Sequence, residues 1–275
     1  MTSLTVVVDN QAGAPDLAAE WGLALWVEHQ GQALLYDTGQ GQALLPNLRT
    51  LGLDPARLAA VVISHGHFDH IGGLAALLGA RREPLDVWCH PGVFDAHLKQ
   101  ENERLKDIGA PLGGRALYED RGARFRFVAR PVQPWPGVSL LAPIPRLASH
   151  EGPGAGLTTL LGSVPMPDPI GEDLALGLDT PAGLVVLTGC AHAGVVNTLS
   201  FARKVLGRPA AWLAGGLHLE GLEPHLLEPT MAHLEGLPGL RVAAGHCTGA
   251  SAAQELSRRL AGRFQTLGAG LRLEF

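Results

Sequence analysis

A run of eleven residues, Ser64-His65-Gly66-His67-Phe68-Asp69-His70-Ile71-Gly72-Gly73-Leu74, follows directly on the apolar segment Ala60 to Ile63 and sets the tightest limit on architecture. Four potential metal ligands fall within six positions. Imidazole and carboxylate suit zinc, iron, manganese, cobalt or nickel. Side chains repeat every two residues along a strand, so His65 and His67 share a direction at the strand end, while Asp69 and His70 lie beyond at the turn into a helix. That geometry offers two metal positions. Gly66 relaxes the backbone between the first two histidines, and Gly72 with Gly73 lets the helix pack closely against the strands. The bland alternative is a row of surface histidines at a helix start, which this spacing argues against.

The chain has 275 residues, 46% of them hydrophobic, so it is expected to form a single domain, residues 1–275, with a core that needs no metal or disulfide to fold. Any metal site is then available for function. Cys89, Cys190 and Cys247 are odd in number and widely spaced, which excludes a disulfide framework. Residues 1–11 lack a basic and then apolar leader, and stretches such as Ile71 to Ala80 are too short to span a bilayer. A soluble cytoplasmic protein without a membrane partner is expected. The net charge of −5 argues against a nucleic-acid partner, which would need a basic face. Arg115, Arg121, Arg124, Arg126 and Arg130 are a local exception. They could receive a small anion, although a solvated loop or edge strand is the favoured reading.

Short β-rich runs at Thr5 to Val8, Leu23 to Glu28, Ala33 to Tyr36 and Ala60 to Ser64 predict buried strands, and the pattern continues less regularly to Arg241 to Ala244. Apolar residues recurring at three and four predict helices at Gln42 to Leu51, Ile71 to Leu78, Val195 to Leu206, Glu223 to Leu234 and Ala250 to Gly262. Strands followed by strand–helix alternation in each half predict an α/β fold of two mixed sheets with helices outside, a four-layer αββα sandwich. The Pro- and Gly-rich stretch from Ala142 to Glu172 reads as a long functional loop.

The His-x-His-x-Asp-His pattern resembles that of the metallo-β-lactamase superfamily. Asp9-Asn10, Leu35-Tyr36-Asp37-Thr38-Gly39, Pro143-Ile144-Pro145-Arg146, Thr188-Gly189-Cys190-Ala191-His192, Gly215-Gly216-Leu217-His218 and Gly245-His246-Cys247-Thr248-Gly249 extend the likeness over nearly the whole chain. Together they resemble the 7,8-dihydropterin-6-methyl-4-(β-D-ribofuranosyl)aminobenzene-5′-phosphate synthase-like group. Leu141-Ala142 and His150 depart from that pattern, where Thr-Gly and Phe are expected. The resemblance implies the αββα fold and a mono- or binuclear site at one edge of the sandwich. Two divalent ions are expected, zinc first, with iron or manganese as alternatives.

On this resemblance His65, His67 and His192 are assigned to one metal, and Asp69, His70 and His246 to the other. Cys190 stands where many members carry a bridging Asp, so it is either a ligand or a buried small residue. Asp37 is expected to fix a ligand imidazole by accepting its hydrogen bond. His218 is open among metal ligand, phosphate donor, proton donor and structural histidine. Arg146 is a candidate phosphate contact, as are Thr248 and Ser251 at the start of the last helix. His29, His97, His225 and His233 are expected at the surface, with His90 and His150 as weak candidates. Serine-hydrolase, P-loop, Rossmann and thermolysin-like motifs are absent from the sequence. Three readings follow: a metal-dependent hydrolase of a small phosphorylated substrate with Asp69 orienting the attacking water, a pterin-joining synthase, and a non-catalytic metal- or ligand-binding protein.

Overall fold

Short runs of valine, leucine and alanine, each stopped by a turn, become the inner strands of two seven-stranded sheets in a computed structural model that describes residues 2–111 and 113–275. The first sheet runs in the order β18 (Arg272–Glu274), β1 (Thr2–Val8), β2 (Ala24–His29), β3 (Gln32–Tyr36), β4 (Leu58–Val62), β5 (Leu85–Cys89) and β8 (Ala123–Phe127). It is antiparallel as far as β3 and parallel from β3 to β8. The second runs β17 (Phe264–Thr266), β16 (Arg241–Gly245), β15 (Ala210–Gly216), β14 (Gly183–Thr188), β13 (Ala175–Thr180), β10 (Val138–Leu141) and β9 (Val132–Trp135). Its first four strands are parallel and the rest antiparallel.

Alternation along β4 shows how the layers arise. Ala60 and Val62 turn into the core between the sheets, whereas Val61, with Ile63 just past the strand, turns outward beneath helices. Leu4, Val6 and Leu34 of the first sheet meet Leu140, Leu176 and Leu187 of the second in that central core. Helices α1 (Leu44–Thr50), α2 (Phe68–Ile71), α3 (Leu74–Gly79) and α4 (Gly114–Glu119) lie along the first half of the chain. Their buried residues Leu44, Leu48, Ile71, Leu74 and Tyr118 cover the outer face of the first sheet. The outer face of the second is covered by α5 (Val195–Leu206), α6 (Pro224–Glu235) and α7 (Ala250–Leu260), through Leu199, Met231 and Leu256. The result is the αββα sandwich expected from the sequence.

Leu176 is fully buried between the sheets. Its replacement by Ala is expected to lower unfolding stability by about 2–5 kcal/mol, read as a shifted urea midpoint at unchanged slope. A loss below about 1 kcal/mol would mean that the central core collapses around the gap.

Two local expectations are corrected. The helix expected over Ile71 to Leu78 is broken into α2 and α3, where Gly73 N–H donates to Gly39 O at 3.0 Å instead of to a carbonyl of the preceding turn. The stretch from Ala142 to Glu172 is also not without structure. It contains the hairpin β11 (Leu157–Leu161) and β12 (Val164–Pro167), which joins β6 (Leu98–Glu101) and β7 (Arg104–Asp107) in a small antiparallel sheet. These strands are short and largely exposed, so they carry no hydrophobic alternation to read. Among the described residues no helix is long and apolar enough to cross a membrane.

Candidate metal centre

Parallel strands present their carboxyl ends on one side of a sheet, and ligands in open α/β sheets gather there. His65 and His67 follow β4, with Asp69 and His70 in α2 just beyond. Cys190 and His192 follow β14, His218 follows β15, and His246 and Cys247 follow β16. Several of these turns need left-handed backbone at residues with side chains, with φ of 61° at Asp37, 57° at Ala191, and 50° at both His218 and His246. Such conformations persist only where the surroundings hold them, and they gather at functional sites.

The far side of each ring is pinned. Asp37, fully buried, accepts from Ser64 N at 2.7 Å, from Ser64 Oγ at 2.7 Å and from His70 Nδ1 at 2.7 Å. Since the Ser64 hydroxyl proton goes to Asp37, its oxygen accepts from His65 Nδ1 at 2.8 Å. One carboxylate thus orients a histidine in each expected set. Pro153 O accepts from His192 Nδ1 at 3.0 Å, and Asn10 Oδ1 accepts from His246 Nδ1 at 3.0 Å. With Nδ1 donating, Nε2 of His65, His70, His192 and His246 is left bare in the neutral ring.

These bare nitrogens converge. His65 Nε2 lies 3.1 Å from His67 Nδ1, and His70 Nε2 lies 3.1 Å from His246 Nε2. Two bare imidazole nitrogens cannot hydrogen-bond to each other, so that separation calls for a cation or a proton between them. Nε2 of His67 and of His192 is buried with no partner. Asp69 Oδ2 stands 3.3 Å from His246 Nε2 and 3.7 Å from His70 Nε2. Cys190 Sγ, 3.2 Å from His70 Nε2, joins both His65 with His192 and His70 with His246 in groups whose donor atoms lie within 4.8 Å. Nitrogen, carboxylate and thiol donors in this arrangement fit divalent cations of the zinc class.

Over residues 22–168 the chain matches the family described as the Metallo-beta-lactamase superfamily. The chain belongs to the metallo-β-lactamase superfamily. It is 26% identical to a 7,8-dihydropterin-6-methyl-4-(beta-D-ribofuranosyl)-aminobenzene-5′-phosphate synthase of Methanocaldococcus jannaschii, over 94% of this chain and 90% of that one. A crystal structure of Tm1679, a metal-dependent hydrolase of the beta-lactamase superfamily, superposes with a TM-score of 0.86 at 26% identity, covering 100% of this chain and 99% of that one. A Ribonuclease Z of Salinibacter ruber matches locally, 40% identical over 74 residues, which is 25% of this chain and 22% of that protein. The superfamily fold thus carries the His-x-His-x-Asp-His segment on its β4–α2 turn, with the remaining donors arriving from β14, β15 and β16.

Not every sequence expectation holds. His97 is not a surface residue but is 1% exposed, because Asp168 accepts from its Nδ1 and the Glu172 carboxylate stands beside its Nε2 inside the protein. Its Nδ1 is 2.7 Å from Asp168 Oδ2 and its Nε2 is 3.2 Å from Glu172 Oε1. Burial works against the charged ring, yet Asp168 and Glu172 outweigh it and raise its pKa. The ring packs edge-on to His67, with centroids 5.4 Å apart, and occupies the space where Gly66 has no side chain. His29 is also buried, with Nδ1 2.8 Å from Thr2 Oγ1 across neighbouring strands. His225 is exposed, His233 half-buried, and His90 Nδ1 accepts from Gly92 N in its own turn.

Among the phosphate candidates, the Arg146 guanidinium donates to Ile170 O and His192 O, which ties the Ala142 to Glu172 segment to a donor-bearing turn. Thr248 Oγ1 accepts from Leu217 N, and Ser251 is exposed on α7. The arginine-rich segment is occupied elsewhere. Arg124 and Arg126 meet Asp86, and Arg115 meets Glu119, on or beside the edge strand β8. Sequence reasoning missed Pro153 and the Asp168–Glu172 pair altogether, and took Ser64 only as the first residue of its motif, without its place between Asp37 and His65. Asn10 lay in a quoted motif, but nothing local indicated its contact with a histidine 236 positions away.

Protonation separates the two sets. Burial and neighbouring histidines hold His65 and His192 well below the usual imidazole range, and burial pushes His67 down to about 3. Burial also pulls on His70, but Asp69 and Asp37 prevail and raise its pKa to about 9. Metal ligation at His70 Nε2 must displace that proton, whereas the His65, His67 and His192 set is already neutral. Measured in a Cys190→Ser variant, so that no Cys190 thiol proton is counted, uptake at the His70 set is expected to release about one proton per chain at pH 7–8. Its affinity should fall about tenfold per pH unit below about 9. Calorimetry in buffers of different ionisation enthalpy reads this, and pH-independent uptake would rule it out.

Proposed function

We propose that this protein is a metal-dependent hydrolase acting on a small phosphorylated substrate, with the metal held by His65, His67 and His192 in one set and Asp69, His70 and His246 in the other. The observation that carries the reading is the convergence of buried imidazole nitrogens, with His70 Nε2 3.1 Å from His246 Nε2 and His192 Nε2 without a partner, beside the buried Asp69 carboxylate. The superposition on Tm1679, a metal-dependent hydrolase of the beta-lactamase superfamily, supports the reaction class. Support for phosphate comes from the name of the M. jannaschii synthase, which carries a 5′-phosphate. Two zinc-class cations would polarise a phosphoryl oxygen and acidify a water at neutral pH.

The chain's own residues divide the remaining work. Burial would raise the Asp69 carboxyl, but His70 and His246 hold it well below the carboxylate range, so it stays ionised and accepts the proton side of an attacking water. His218, half-buried beside His192 with centroids 4.3 Å apart, is raised by Cys247 and by acidic neighbours against the pull of burial. It supplies a proton to the leaving group. Exposed Ser251 in the first turn of α7 offers a contact to phosphate, whereas Arg146 and Thr248 act by holding the surrounding segments. The proposal takes residues 1–275 as one domain of a cytoplasmic protein; the single domain is supported by the pairing of β18 with β1 in one sheet.

The match to the synthase over 94% of the chain favours one second reading, in which the same site joins a pterin to a ribofuranosyl-aminobenzene phosphate. A panel of phosphoesters, lactones and thioesters, run with the pterin pair on metal-loaded and chelated protein, separates the two. Metal-dependent release of phosphate is expected. Condensation without hydrolysis would transfer the assignment to the synthase reading. Much faster turnover of uncharged lactones or thioesters would remove the phosphate and leave the hydrolase.

A further inference from the structure

Strand β15 lies between β14 and β16, and its last residue, Gly216, leaves a gap where a side chain would collide. A Cβ at Gly216 would come within 2.6 Å of Cys247 Sγ and 3.4 Å of Cys190 Cα. Two cysteines from strands that are not neighbours therefore approach each other over a glycine, and Cys247 Sγ lies 3.7 Å from Cys190 O. Both are buried, at 3% and 6% exposure. His218 closes the group. Its backbone N–H donates to Cys247 Sγ at 3.3 Å, its backbone is left-handed with φ of 50°, and its Nδ1 is buried with no hydrogen-bond partner. On the other side of the ring a Cβ at Gly154 would come within 2.7 Å of Nε2.

The two sulfurs and a ring nitrogen of His218 lie within 4.8 Å of one another. Zinc bonds of about 2.3 Å to sulfur and about 2.0 Å to nitrogen place tetrahedral vertices about 3.5–4 Å apart, inside that limit. We propose that Cys190, Cys247 and His218 Nδ1 form a third, thiolate-rich cation site that takes one thiophilic divalent ion of the zinc class. Two S–H bonds break and two metal–sulfur bonds form, with any thiol protons passing to solvent. Two thiolates then balance the dication in a buried space, and three protein donors leave its fourth position open. The site depends on the proposed histidine sets only through Cys190, whose sulfur is common to all three groups. A cation on Nδ1 takes the place of the imidazolium proton, so His218 donates to a leaving group only while this third site is empty.

The test loads the full-length protein with Co²⁺ under a phosphine reductant, dialyses it, and compares wild type with Cys247→Ser and His67→Ala. Wild type is expected to hold three ions per chain, and Cys247→Ser two, with a weakened sulfur-to-cobalt absorption in the near ultraviolet. His67→Ala should lose an ion but keep the band. If Cys247→Ser keeps both its third ion and the full band, the site does not exist. Loss of binding in His67→Ala without loss in Cys247→Ser would uphold the histidine sets and overturn this one. Should Cys247→Ser fail to fold, ¹¹³Cd resonance on wild type decides: a low-field signal from a two-thiolate site is expected, and its absence overturns the proposal. A Cys190–Cys247 disulfide found in reduced, purified protein would overturn it as well.

Discussion

Replacing Asp69 with Asn is expected to lower turnover of a phosphoester by about 10²- to 10⁴-fold, the range associated with a positioned acid–base group. The amide keeps the shape but loses the charge that accepts a hydrogen bond from the attacking water and that balances His70 and His246. Folding should survive, because the scaffold uses Asp69 through its backbone carbonyl, which accepts from Leu23 N, rather than through its carboxylate. Thermal melts of the metal-loaded variant check the fold, and kcat at saturating metal checks the role. Turnover near the wild-type value would remove Asp69 from the chemistry.

Asp37→Ala is expected to weaken metal binding at both histidine sets by about 10- to 100-fold, the usual effect of removing a group that orients a ligand. Asp37 reaches His70 directly and His65 through Ser64. Its removal also strands Ser64 N and the His70 ring donor in a buried place, at about 1–3 kcal/mol for each unsatisfied group. Stability should therefore fall along with affinity. Ser64→Ala separates the two routes, since it cuts the path to His65 and leaves Asp37 on His70. Chelator competition reads the affinities. Equal loss at both sets in Ser64→Ala would contradict the branched arrangement.

The contrast between His65 and His97 shows where sequence reading works. His65, His67, Asp69 and His70 lie within six consecutive residues, and the strand period and helix turn fix their relative directions before any distant contact forms. His192 and His246 were reachable because each ends an apolar strand inside a recognisable motif. Layering was legible for the same reason, since alternation along β4 sends Ala60 and Val62 to one face and Val61 to the other. Strands without alternation, such as β11 and β12, left no such trace.

His97 has the same side chain as His65 and no local pattern, so only the approach of Asp168 and Glu172, more than seventy residues on, makes it a buried residue rather than a surface one. Tertiary structure likewise decided that Asn10 would hold His246, that Pro153 O would hold His192, and that Cys247 would reach Cys190 over Gly216. The sequence by itself determined the αββα layers and the His65–His70 donors, because periodicity and spacing act along the chain. Which polar groups orient those donors, and which thiols stand beside them, depends on contacts between strands far apart in sequence, where burial removes water and leaves each donor only the partner that the fold places next to it.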